Sequence, residues 1–325
     1  MEGQDMMIIT LGDPLSVAVE CLVREQDLWA NDPTRTVILV GARSQWSQQT
    51  KVSLPLKEIR QWSAVQGPGL YFFDSSPDCP AVDPRKLRDE QRGQVAFDAL
   101  SSLRSLPPDW KSLAVLTSPI DKSVCAKAGF RFPGQTEFFE DLWGTKGIMI
   151  LAGTKLRVAL VTNHLALRDV PTAIRSELIV QKAQLLQASL QRIFGLAKPR
   201  LAVSGLNPHC GDGGLFGDED TRIIAPAVAE ARRLGLDIVG PLPADTIFFR
   251  AYSGMFDGVL AMYHDQGLGP LKSLHFYDAI NVTGGLPHLR LSPDHGPAAE
   301  LYGRNEARSD SFRLALQQAR HYLGW

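Results

Sequence analysis

The chain is punctuated by short apolar runs that break off at turn-forming residues, and three of these runs end in histidine: LRVALVTNH at His164, LAVSGLNPH at His209 and GVLAMYH at His264. Runs of four to seven mainly Val, Leu and Ala residues beside turn formers read as buried strands. Where such strands alternate with helical stretches they build an open α/β sheet, and ligand-binding side chains collect at its carboxyl edge. Three neutral imidazoles meeting at that edge suit a divalent metal with positions left open for water or substrate. A single strand-end histidine is ordinarily satisfied by a local hydrogen bond. All seven histidines, however, lie at or after His164, and three share one structural position, which favours the metal.

With 325 residues the chain exceeds the usual single-core domain, so two domains or one large α/β unit with a cleft are expected. Its 44% hydrophobic and 21% charged residues are those of an ordinary globular protein, and a formal net charge of -1 offers no electrostatic footprint for nucleic acid. Cys21, Cys79, Cys125 and Cys210 are widely spaced without a CxxC pair, and neither a signal peptide nor a membrane-spanning apolar run is evident. A reducing cytoplasm is the expected compartment. Cys210 beside His209 could serve as nucleophile or fourth ligand, but a small residue filling a tight turn is the expectation.

Strand signals recur at MMIITLGDP, PTRTVILVGA and SLAVLTSPI, with helical stretches over 91–103 and 122–128, the latter closing at Gly129. Residues 44–92 have weak periodicity, and 75–84 read as an exposed loop. FPGQTEFFEDLWG turns at Pro133-Gly134 and continues as an amphipathic stretch, which places the passage between domains there. The first domain is expected over 1–133 with about 305–325, the second over 134–304. In the second, Asp169-Val-Pro171 starts a helix whose pattern runs from Thr172 to Phe194 and closes at Gly195, and another is expected from about Thr221 to Leu234.

Two constellations carry chemistry. GLNPHCGDGGLFGDED, residues 205–220, holds five glycines in a loop between a strand and a helix, where backbone amides can approach anionic oxygens, although the spacing is not GxGxxG. MYHDQGLGPLK sets His264, Asp265 and Lys272 on and just after a strand end. Asn281 and Arg290 follow in stretches rich in turn formers. Two cations and an amide so distributed suit a phosphorylated or carboxylated substrate, because Arg grips planar oxyanions bidentately while Lys acts as a point charge.

With TSPIDK (117–122), GQTEFFEDL (134–142), GLNPHCGDGG (205–214), GPLPADT (240–246), MYHDQGL (262–268), INVTGGLP (280–287) and DHGPA (294–298), the chain resembles the 4-hydroxythreonine-4-phosphate dehydrogenases of the pyridoxal phosphate pathway. The resemblance implies an isocitrate/isopropylmalate dehydrogenase-like fold, two α/β domains with a cleft between them, and a homodimer with the active site at its interface. It assigns His164, His209 and His264 as metal ligands, with histidines from both subunits completing each site. Gln135, Thr136, Lys272, Asn281 and Arg290 become substrate contacts. Two departures stand out: Gln135 replaces the family's histidine, and GDPLSVAVE (12–20) replaces GDPAGIGPE, with Ser16 and Ala18 at or near glycine positions.

The implied reaction is NAD-linked oxidation of the C3 hydroxyl of 4-phosphooxy-L-threonine, then decarboxylation to 3-amino-2-oxopropyl phosphate, in vitamin B6 biosynthesis. A divalent ion, zinc or alternatively cobalt or magnesium, acts as Lewis acid in both steps. Asp245 or Asp265 is the candidate to take a proton or orient a ligand, and Gly211, Gly213 and Gly214 are the candidate place for part of NAD or NADP. The alternatives are a dehydrogenase on the same scaffold acting on another hydroxy acid or diol, a zinc hydrolase using the same histidines, and a metal-binding protein without turnover.

Overall fold

The computed structural model describes residues 5–110 and 112–325. Among them run twelve strands: β1 (Met6–Thr10), β2 (Thr36–Gly41), β3 (Lys57–Ile59), β4 (Gly69–Asp74), β5 (Leu113–Thr117), β6 (Ile148–Ala152), β7 (Arg157–Leu160), β8 (Leu201–Ser204), β9 (Ile238–Leu242), β10 (Gly258–Ala261), β11 (Ile280–Gly284) and β12 (Leu289–Pro293). They fall into two compact units, one formed by the chain up to Gly144 with Pro287–Trp325, the other by Thr145–Leu286.

The first unit orders its strands β3-β4-β2-β1-β5-β12, every neighbouring pair parallel. Every residue of β1, β2 and β5 is buried, as a parallel sheet covered on both faces requires. The weakly periodic stretch 44–92 contributes β3 and β4 and a core of large rings, with Trp62 stacked on Phe73 at 4.2 Å between ring centroids. Helix Asp89–Ser102 meets helix Lys122–Lys127 so closely that a Cβ on Gly93 would lie 2.3 Å from the Val124 carbonyl oxygen. Gly93→Ala is therefore expected to cost about 1–3 kcal/mol, because a backbone carbonyl cannot move aside as a side chain can. An unchanged urea midpoint would show that the two helices separate without cost.

The unit boundaries fall at 144/145 and 286/287 rather than at the 133/134 and 304/305 expected from composition. Helix Gln135–Leu142 stays with the first unit because Phe138 and Phe139 join Phe130 and Phe132 in one aromatic cluster. β12 stays there because it pairs with β5.

The second unit orders its strands β11-β6-β7-β10-β8-β9. β7, β10, β8 and β9 are parallel, and β6 is antiparallel to both its neighbours. Helix His264–Leu274 lies on β7 and β10, and Gly267 permits this approach, since a Cβ there would sit 2.7 Å from a Val158 methyl group. This packing holds the segment helical through two glycines and Pro270, and it puts Asp265 in the first turn and Lys272 in the last. Burial likewise makes β11 and β12 of the stretches around Asn281 and Arg290 that composition marked as turns. The single helix expected over 172–194 is two, Val170–Ala173 and Ser176–Phe194, because Ile174 and Arg175 are extended (ψ 124° and 148°) and Ile174 is buried. The second ends at Gly195 in the left-handed region, as read from sequence. No helix among the described residues is long and apolar enough to cross a membrane.

Candidate active site

The ladders of β7, β8 and β10 stop short of the apolar runs that mark them. His164 follows β7 by four residues, His209 follows β8 by five, and His264 follows β10 by three as the first residue of helix His264–Leu274. The structure brings two of the three together. The His164 and His264 rings lie 5.7 Å apart between centroids, beside a cavity of about 410 Å³ lined by Asn163, Leu165, Tyr263 and Asp265 among others. His264 Nδ1 is 2.7 Å from Asp265 Oδ1. An ionised carboxylate can only accept, so this contact places the ring proton on Nδ1 and leaves the Nε2 lone pair free to bind a metal. His209 is exposed and does not line that cavity, and no group of three or more His, Cys, Asp or Glu among the described residues is arranged to hold a metal.

His209 sits in a left-handed turn. From His209 to Gly213 every φ is positive, including 52° at His209, 56° at Cys210 and 42° at Asp212. Non-glycine residues adopt this region only under constraint from surrounding structure, and such constraint concentrates at functional sites. A Cβ on Gly213 or Gly214 would meet nothing within 4 Å, so backbone conformation rather than crowding calls for glycine there, whereas Gly211 also packs against the Gly217 carbonyl. The Cys210 thiol is pushed up by burial and then by Asp220 and Asp245, which argues against a nucleophilic thiolate and agrees with a turn-filling role. Asp245 itself is exposed in the first turn of helix Ala244–Tyr252.

Lys272 lies in the last turn of helix His264–Leu274, its ammonium 5.9 Å from the Phe276 ring centroid, and Asn281 lies on β11 with a buried, unpartnered Oδ1. The first unit carries the remaining candidates. Arg290 on β12 is 3% exposed, donates to Thr117 Oγ1 at 2.8 Å and packs over the Phe139 ring. Burial lowers its pKa to about 10, so it remains a cation at neutral pH.

Thr136 and Gln135 open helix Gln135–Leu142. The Gln135 Nε2 donates to the Ser118 carbonyl at 3.1 Å, and because a carbonyl only accepts, the amide nitrogen must face it. One of the two amide N–H groups is thus engaged inside the chain, and Oε1 is left buried without a partner. In the altered GDPLSVAVE segment, Ser16 Oγ accepts from Ala18 N and both residues are buried. Asp13 in the same turn receives both Nε and Nη2 of Arg92, at 3.0 and 2.7 Å. No local signal marks that pair, since its members are 79 residues apart.

Residues 33–319 match the family model for the pyridoxal phosphate biosynthetic protein PdxA. A 4-hydroxythreonine-4-phosphate dehydrogenase of Bradyrhizobium diazoefficiens is 46% identical, with 96% of this chain and 95% of that protein covered. A D-threonate 4-phosphate dehydrogenase of Salmonella typhimurium is 36% identical over 96% of this chain and 97% of the relative. Among solved structures, a 4-hydroxythreonine-4-phosphate dehydrogenase of Klebsiella pneumoniae superposes with a TM-score of 0.81 at 34% identity, over 98% of each chain.

Proposed function

The chain belongs to the PdxA family of pyridoxal phosphate biosynthetic proteins, and on that premise we propose that it oxidises the C3 hydroxyl of 4-phosphooxy-L-threonine with NAD and releases carbon dioxide to give 3-amino-2-oxopropyl phosphate. The observation that carries the metal-dependent part of this reading is the adjacent pair His164 and His264 with Asp265 behind it. A carboxylate holding the far nitrogen of a histidine is the arrangement that orients a metal-bound imidazole. The donor set is nitrogen-rich and leaves open positions, which suits zinc or cobalt better than magnesium.

His209 of a second copy supplies the third ligand in this proposal. Exposed apolar residues support such a pairing, because Leu165 and Leu167 follow His164, and Leu215 and Phe216 follow His209. When bound, a divalent ion supplies Lewis acidity at the substrate oxygens, and the nicotinamide supplies the hydride acceptor. Asp265 holds His264 in the tautomer that keeps Nε2 free. Arg290 and Lys272 meet the phosphate and carboxylate, with Thr136 and Asn281 as further polar contacts. Asp245, exposed and near Cys210, is the candidate to carry a proton to solvent. The turn at Gly211, Gly213 and Gly214 is the candidate for part of the cofactor, supported by the open backbone at Gly213 and Gly214.

D-threonate 4-phosphate is the second reading, supported by the 36% identity to a D-threonate 4-phosphate dehydrogenase over 96% of this chain. Reduction of NAD and NADP should be followed with each phosphorylated substrate and with added zinc, cobalt or magnesium. We expect metal-dependent NADH formation and carbon dioxide release from 4-phosphooxy-L-threonine. Preferential turnover of D-threonate 4-phosphate would establish the second reading, and metal-dependent hydrolysis without nicotinamide would overturn both.

A further inference from the structure

Beyond the ends of β7, β10 and β8, a line of hydrogen bonds replaces the interrupted ladder. Thr162 sends both its backbone N–H and its hydroxyl to the Met262 carbonyl, at 3.2 and 2.7 Å. On the other side of Met262, the Gln266 Oε1 accepts the Met262 N–H at 2.7 Å, while Gln266 Nε2 donates to the Gly205 carbonyl, also at 2.7 Å. Asp220 then accepts the amides of Leu206 and Asn207, at 2.9 and 3.0 Å. The line therefore runs through the segments that carry His164, His264 and His209 in turn.

We infer that Gln266 is a positioning residue for His264: its carboxamide ties Met262, two residues before that ring, to the Gly205 carbonyl of the neighbouring segment. It does so without touching metal or substrate itself. The physical requirement is specific, because one neighbour offers only a donor and the other only an acceptor. A carboxamide satisfies both at once. An ionised glutamate accepts from Met262 but repels the Gly205 carbonyl, and methionine, of similar length, does neither. At 9% exposure, water cannot freely replace the lost bonds, so the two segments must move apart or leave buried polar groups unpaired.

This inference rests on the proposed metal site only for its functional readout, so two measurements separate the ideas. The first is amide hydrogen exchange at Met262 in metal-free protein, comparing wild type with Gln266→Met and Gln266→Glu. Protection should fall in Gln266→Met and persist in part in Gln266→Glu, which keeps the acceptor. Unchanged protection at Met262 in Gln266→Met overturns the inference whether or not metal binds. The second is titration with cobalt(II), followed by its visible spectrum. Both variants should bind about 10–100-fold more weakly than wild type and show altered band intensities. Wild-type affinity and spectrum in both variants also overturn the positioning role, whereas failure of wild type to bind cobalt or zinc overturns the metal reading alone. Should either variant fail to fold, Gln266→Asn tests the same bridge with a carboxamide one methylene too short to reach both partners: Met262 protection and cobalt affinity should both fall, and wild-type values of both overturn the inference.

Discussion

His264→Ala is expected to abolish tight metal binding and to lower turnover by about a thousandfold or more, since Lewis-acid stabilisation of several kcal/mol is lost at about 1.4 kcal/mol per decade. His164→Ala should behave alike, because the two rings adjoin. Subunit mixing then tests where the third ligand originates. If each site takes His164 and His264 from one chain and His209 from the other, a heterodimer of His264→Ala with His209→Ala keeps one intact site. Random pairing should therefore restore roughly a quarter of wild-type activity. A mixture of His164→Ala with His264→Ala should restore none, because each site then lacks one of the pair. Full metal occupancy in His264→Ala would remove the ligand assignment, and monomer mass at micromolar concentration with full activity would remove the shared site.

The second large effect is expected from Arg290→Lys. Arg290 is buried, anchored on Thr117 and charged despite a pKa lowered to about 10. A lysine starts from a lower intrinsic pKa, so the same burial carries it toward the neutral amine, and it lacks the planar fork that matches phosphate or carboxylate. Losing a charge-assisted bidentate contact of about 3 kcal/mol should raise KM for the phosphorylated substrate by about two orders of magnitude. The pH dependence has a definite sign. A buried lysine is charged below its folded pKa, so KM of the variant should improve as pH falls from about 8 to about 6. The guanidinium is charged throughout that range and makes no such contribution in wild type. A variant with unchanged KM but a lowered melting temperature would make Arg290 a structural residue.

Much of the local architecture was legible from spacing alone. The apolar runs that became β1, β2, β5, β7, β8 and β10 could be read because an interior strand of a parallel sheet is apolar on both faces, and that signal needs no partner to be seen. Gly195 closes its helix where expected because a left-handed cap is a local demand on one residue. β11 and β12 are hidden by the turn formers around Asn281 and Arg290, because the glycine of one and the proline of the other are tolerated only through pairing with distant strands, which composition does not encode.

The residue types of the candidate site were likewise present in the sequence, while their pairing was not. His164 and His264 are 100 residues apart and meet because β10 lies beside β7 in the sheet. β10 also separates β7 from β8, at about 4.8 Å per strand spacing. That order arises from non-local backbone pairing, so no window of sequence could tell which two of three strand-end histidines would adjoin. The same holds for the amide of Gln135, which sequence shows only as a possible donor and which the fold turns onto Ser118. The sequence by itself determined the chemistry available: imidazoles at strand ends, cations for anions and glycines for a left-handed turn. Only the tertiary structure decided which of these groups meet, because contact between them depends on strand order and burial rather than on distance along the chain.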